Sequence, residues 1–259
     1  MAKKLVNLFL AVCLMCSYLT CAAEGAAPAK PEIYSDGDVV AVIGDSITHY
    51  GAYHMYLSEI YHNRFSDQTV QFLNLGVSGD NAGGALERLS SDILPAGANK
   101  AIIMLGMNDL NRGAYTTEQP DATEQEKRTS AMERYKTNMA ALVDGLQGAG
   151  VEEITLLTPT PFDETVESTA ENAPGYDAAL EEAGAYLQQL AAEKNCAFVD
   201  VHTPLDEVNA QMQSSSPSDT IIGTDRIHPG DMGHLLIAYT IAKAQGIELQ
   251  AGVSVDFTA

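Results

Sequence analysis

Short apolar runs alternate with helix-period stretches along most of this chain, and this alternation constrains the fold more than any other feature. The runs "VVAVI" (39–43), "VQFLNLG" (70–76), "KAIIMLG" (100–106), "EEITLLT" (152–158) and "CAFVDV" (196–201) read as strands. Between them, "HMYLSEIYHNRF" (54–65), "GGALERLSSDIL" (83–94), the stripe Met132, Tyr135, Met139, Leu142 and Leu146, the stretch from Tyr176 to Lys194, and "DMGHLLIAYTIAKAQ" (231–245) carry apolar residues at steps of three and four. Strands that are apolar without a break are buried on both faces. That predicts an α/β domain with a central parallel sheet of about five strands covered by helices on either side. A length of 259 residues accommodates one such domain. Two long connections, 111–127 and 158–175, follow strand carboxyl ends, where open α/β sheets bind ligands. They are expected either to touch substrate or to be solvated insertions.

The first residues are of another kind. "MAKK" is a basic start, "LVNLFLAVCLMCSYLT" an apolar stretch, and "CAA" a small-residue ending at Ala23. This predicts a signal peptide over 1–23 and a periplasmic or secreted protein. Asn7 and the bare length of the stretch argue against a retained anchor. Tyr18 and Thr20 are poor neighbours for a lipidated Cys21, so a lipoprotein is disfavoured. A flexible leader is expected over 24–36, the folded domain over 37–250 and a tail over 251–259. Cys13, Cys16 and Cys21 leave with the signal. Cys196 then has no disulfide partner and reads as a small core residue.

The net charge is −21, and more negative still once Lys3 and Lys4 are removed. It argues against nucleic acid and anionic membranes as partners. No stable membrane insertion is expected after signal removal, and the oligomeric state is unknown from sequence.

Four polar stretches sit where strands end or where the last helix begins. "GDSIT" (44–48) places Ser46 at a strand-to-helix turn, where developing negative charge is favoured. "NLGVSGDN" (74–81) offers Gly79, whose N–H can approach a ligand closely. "GMND" (106–109) offers the Asn108 amide as a donor. "DRIHPG" (225–230) spaces Asp225 and His228 three apart across a turn. Together they supply what acyl transfer needs: Ser46 as nucleophile, His228 as base, Asp225 to orient the imidazole, and Ser46 N–H, Gly79 N–H and Asn108 as the oxyanion hole. A histidine base predicts activity falling as pH drops through about 6.5.

In this order, "GDSIT", "NLGVSGD", "GMND" and "DRIHP" resemble the four blocks of the SGNH (GDSL-type) hydrolases. The resemblance runs from Val39 to the end of the last helix. It implies a flavodoxin-like three-layer α/β/α fold, catalytic roles for Ser46, Gly79, Asn108 and His228 with Asp225 completing the triad, and no metal or organic cofactor. G-x-S-x-G is absent around Ser46, which disfavours an ordinary α/β-hydrolase. The expected substrate is a small-molecule or oligosaccharide ester, first an acetylated carbohydrate. The alternatives are a lipase, lysophospholipase or thioesterase of the same fold, and a non-catalytic carbohydrate-binding protein, which would need a broken triad.

Asp45, His49, Arg112 and His202 are the candidate substrate contacts. Asp45, Asp109 and Asp200 are also expected to hydrogen-bond loop backbones, Arg112 to form a surface salt bridge, and Asp80 or Asn81 to cap the helix that follows. His54 is expected at the surface or near the pocket, and His62 and His234 to be structural. No H-E-x-x-H or similar spacing points to a metal.

Overall fold

The structure, a computed structural model, describes residues 27–249. The expected signal peptide, the first residues of the leader, and the tail after 250 lie outside the described residues. Five strands, β1 (Val39–Gly44), β2 (Gln71–Gly76), β3 (Lys100–Met104), β4 (Glu153–Leu157) and β5 (Ala197–Val199), form one all-parallel sheet in the order β2-β1-β3-β4-β5. This is the flavodoxin-like order. Helices α1 (Ser46–His49), α2 (Tyr53–Arg64), α3 (Ala82–Glu87), α4 (Ala122–Gly148), α5 (Tyr176–Lys194), α6 (His202–Ser215) and α7 (Asp231–Ala244) complete it. On one side α2 and α6 pack against α7; on the other α4 packs against α3 and α5. Between these layers lie Val40 to Ile43, Ala101 to Met104, Leu156 and Leu157, all buried.

The site's position follows from strand order and register. The chain leaves β1 toward β2 on one side and reaches β3 on the other, so a crevice opens at the carboxyl ends of β1 and β3. Gly44 pairs with Gly76 and with Met104, so three strands end at one level. Gly44 and Gly76 must be glycine, because a Cβ on Gly44 would collide with Thr48 and one on Gly76 with the His49 backbone. Their bareness lets α1 settle onto the strand ends.

Five expectations need correction. The helix expected over 83–94 divides into α3, a π-helical turn (Leu89–Ile93) and a 3₁₀ turn (Leu94–Ala96). The Arg88 carbonyl accepts from both Asp92 and Ile93 N–H, widening the ladder, and Pro95 has no N–H to continue it. The connection expected over 111–127 is shorter, because α4 starts at Ala122 in a capping box between Asp121 and Glu124. α6 was not anticipated, because it buries little more than His202, Leu205 and Asn209. β2 is half exposed, being an edge strand with one neighbour. The leader is tied down over its described part. Ala29 bridges to Ala197, Gln245 Nε2 donates to the Glu32 carbonyl, and buried Tyr34 stacks on Tyr61.

The 158–175 connection has no helix or strand, yet it is no solvated insertion. Thr158, Thr160, Phe162, Asp163, Val166 and Ala173 are buried. Cys196 is a buried core residue beside β5, and burial pushes its thiol up to about 11.

Candidate active site

α1 begins at Ser46, directly off β1. Asp45 caps it, its Oδ1 accepting the Ile47 N–H at 2.9 Å. Its other end is held from β2, where Asn74 Nδ2 donates to the Thr48 and His49 carbonyls at 3.1 Å each. Ser46 Oγ lies 2.8 Å from His228 Nε2, and His228 Nδ1 lies 2.6 Å from Asp225 Oδ2. Asp225 carries no donor when ionised, so Nδ1–H donates to it and Nε2 is left to accept the serine proton. Asp225 Oδ1 also accepts the N–H groups of Ile227 and His228 at 3.0 Å each. Partial burial pushes the Asp225 carboxyl up, but these bonds and the His228 ring outweigh it and hold the group below the usual range.

The three expected oxyanion donors follow the level ends of β1, β2 and β3. The Ser46 N–H is the first of α1. Gly79 lies at φ 79° in a turn closed by Asp80 N–H donating to the Val77 carbonyl at 3.0 Å. His49 Nδ1 accepts the Ser78 N–H at 3.3 Å and so ties this turn to α1. Asn108 Nδ2 donates to the Asp80 carbonyl at 2.9 Å, which leaves its second hydrogen only a long approach, 3.5 Å, to Asp45 Oδ2. Asp109 Oδ1 accepts the Ala82 N–H at 2.9 Å, locking the loop after β3 to the start of α3.

Beneath these donors lie three carboxylates and one cation. Arg88 Nε binds Asp80 Oδ2 at 2.8 Å. Asp45 and Asp109 have no such partner. Burial, reinforced by Asp80, pushes Asp45 to about 6; burial, reinforced by Asp45 and Asp80, pushes Asp109 to about 7. Asp109 Oδ2 is buried without a hydrogen-bond partner, which suits a protonated oxygen better than a charged one.

A profile of the GDSL-like lipase/acylhydrolase family matches residues 42–236. The chain belongs to that family. It is 22% identical over 227 residues to an acetylxylan esterase of Geobacillus stearothermophilus, covering 82% of this chain and 95% of that protein. Among solved structures, a catalytic mutant of the acetylxylan esterase Axe2 of that organism superposes with a TM-score of 0.66 at 23% identity, over 83% of this chain and 97% of the other. A gut microbial diltiazem-metabolizing enzyme superposes with a TM-score of 0.79 at 26% identity over 84% of this chain. This chain spans 49% of that protein's length. This GDSL-type chain is thus a carboxylic ester hydrolase by family, with the expected α/β/α fold.

The remaining candidates stand apart from the relay of this GDSL-type site. Asp45 is buried and spent on capping, so it is not a substrate contact. His202 is buried on α6, its Nδ1 3.1 Å from the Pro159 carbonyl and its Nε2 3.6 Å from Asp177. Arg112 is exposed, but its guanidinium lies over the Phe162 ring at 5.7 Å in place of the expected salt bridge. His49 is exposed at the mouth beside Tyr50. Asn81 is the N-cap of α3, accepting from Gly84 N–H, and Asp200 accepts the Thr203 N–H at the start of α6. His54 and His234 are held below their ordinary values by burial, His234 at about 4.

Sequence reasoning missed two contributors. One is Asn74, a polar residue within an otherwise apolar run, which was the available signal. The other is Tyr50, 76% exposed immediately after α1. Among the described residues no three His, Cys, Asp or Glu side chains converge as a metal cluster, and no helix is long and apolar enough to cross a membrane.

Proposed function

We propose that this family member is an exported serine esterase that removes acetyl groups from an acetylated carbohydrate. The observation that carries this reading is the continuous relay from Asp225 through His228 to Ser46, which opens to solvent: the His228 and Asp225 side chains are 43% and 52% exposed. Ser46 Oγ attacks the ester carbonyl carbon as its proton passes to His228 Nε2. The Ser46 and Gly79 N–H groups and Asn108 Nδ2 receive the oxyanion. His228 then protonates the leaving alcohol oxygen, and an acyl-Ser46 ester remains. A water gives its proton to His228 and attacks that ester, which frees the acid and restores the serine.

Two features support a short acyl group on a polar alcohol. Ser78, Gly79, Asn108, Asp225 and His228 are exposed, and the exposed Tyr50 ring stands beside His49, a set suited to a sugar face. Relatives across most of the chain carry acetylxylan esterase names. Export rests on the basic and apolar N-terminal stretch.

The test is acetate release from acetylated xylan and pectic fragments, set against a p-nitrophenyl acetate to octanoate series, with Ser46→Ala as control. Glycan acetate release with weak turnover of long chains is the expected outcome. Preference for long chains would move the assignment to a lipase or thioesterase. An absence of Ser46-dependent turnover would leave a carbohydrate-binding protein.

A further inference from the structure

Arg226 stands between Asp225 and His228 yet takes no part in their relay. Its backbone is left-handed, at φ 70°. That region is strained for a long side chain and free for glycine. A turn that needed only this conformation would be served better by Gly, so the arginine side chain is what the position retains.

That side chain is 5% exposed and points away from the crevice into the 158–175 connection. Its guanidinium donates to three backbone carbonyls there: Nη1 to Asp163 at 2.8 Å, Nε to Ala170 at 3.1 Å and Nη2, more distantly, to Ser168 at 3.5 Å. The bond is returned, because Asp163 N–H donates to the Arg226 carbonyl at 3.0 Å, and Ser168 Oγ donates to the Thr224 carbonyl. The planar fork of arginine suits such a set, and a lysine could satisfy only part of it.

The connection is itself anchored. The Asp163 carboxylate accepts from Thr165, from Val166 N–H, from Gln213 Nε2 at 2.8 Å and from Thr220 Oγ1 at 2.7 Å. Asn209 on α6 accepts Ile221 N–H at 3.1 Å, its Oδ1 lies 2.9 Å from Thr220 Oγ1, and the Ile221 carbonyl accepts Gly230 N–H at 3.1 Å. The start of the 220–230 segment is therefore tied to Asp163 and α6, its middle to residues 163–170, and its end back to Ile221.

We propose that Arg226 is a positioning residue: its guanidinium clamps the Asp225–His228 turn to the 163–170 backbone and fixes the imidazole within reach of Ser46. The proposal rests on the esterase reading for its consequence in rate, but not for its consequence in geometry.

The experiment compares Arg226→Gly, which keeps the backbone conformation and removes the clamp, with Arg226→Lys, which keeps the charge and loses the fork. Two readouts are taken: kcat and KM on p-nitrophenyl acetate, and the far-downfield proton NMR signal of His228 Nδ1–H shared with Asp225. A misplaced catalytic group costs on the order of 10²-fold in rate. Arg226→Gly is expected to lose about that much kcat, with KM little changed and the downfield signal broadened or lost, while Arg226→Lys falls between it and wild type. A folded Arg226→Gly protein with wild-type kcat and an intact signal overturns the proposal. So does a variant whose losses track only its unfolded fraction while the signal persists. Should Arg226→Gly fail to fold, Arg226→Lys decides by the same readouts, unchanged values overturning the proposal. Should wild type show no Ser46-dependent turnover, the esterase reading fails, and the NMR signal still judges Arg226.

Discussion

The two halves of the site are built by different means. Ser46, Gly79 and Asn108 stand within a few residues of three strands that end level with one another, and short loops carry them. Asp225 and His228 stand on a segment without a strand, held by its own Arg226 on the 163–170 backbone and by the Asp163 and Asn209 side chains. The first half takes its precision from backbone ladders, which every sequence of the right pattern forms. The second takes it from a set of polar residues that must each find a partner far along the chain.

The largest effect joins the halves. Ser46→Ala or His228→Ala is expected to lower kcat by on the order of 10⁴ or more while the melting temperature holds. Steady-state kinetics beside a thermal melt checks this; a small loss would mean that the 2.8 Å contact between the halves does not carry the reaction. Asn108→Ala touches the strand-end half alone. On the proposed mechanism it should cost ~10²–10³ in kcat, most of it independent of acyl chain length, because it removes one oxyanion donor. A change confined to KM would count against that role.

Asp163→Ala touches the other half. It strips the acceptor from Thr165, Val166, Gln213 and Thr220 together, and is expected to cost ~3 kcal/mol in urea unfolding. Amide exchange should accelerate over 160–175 and 215–230 while β1 and β3 stay protected. Uniform acceleration would erase the distinction between the halves.

The smallest effect is a pH dependence at the buried carboxyls near Asn108. Asp45 and Asp109 titrate at about 6 and about 7 in the folded chain, above the 3.8 of an unperturbed aspartate. Their protonated forms are favoured by folding, so this stabilisation is complete below about pH 4 and is lost as pH rises through 6 to 7. Asp225, held low, works in the opposite sense and loses its contribution as pH falls through its folded value. Asp109→Asn should therefore unfold at higher urea than wild type at pH 8, with that advantage shrinking by pH 5 and gone below about pH 4. Parallel stability curves for the two proteins would show that Asp109 is not protonated in the fold.

The same division governs what could be read from the chain. β1, β3 and β4, α2, α5 and α7, and the four polar blocks are local patterns: an apolar run, a stripe, a Gly-Asp-Ser turn. They were legible because local backbone physics places them. α6 was not legible, because its buried face is small and polar, with Asn209 where a stripe would carry a Leu. The start of α4 was written in Asp121 and Glu124, but its first turns are solvated and give no apolar period. Asp45 and His202 look like ligands in a sequence because their burial is a tertiary fact. Arg226 gave no signal, since its partners lie more than fifty residues away.

The bridge between Ala29 and Ala197 bears on how this protein behaves in a tube. β5 has β4 on one flank and, among the described residues, only the N-terminal segment on the other. An open flank of a parallel sheet invites strands from other molecules, and clumping follows. A chain trimmed to begin after Tyr34 would keep every residue of the chemistry. It would also present a bare row of peptide groups to its neighbours, so its shelf life would shorten before its turnover did.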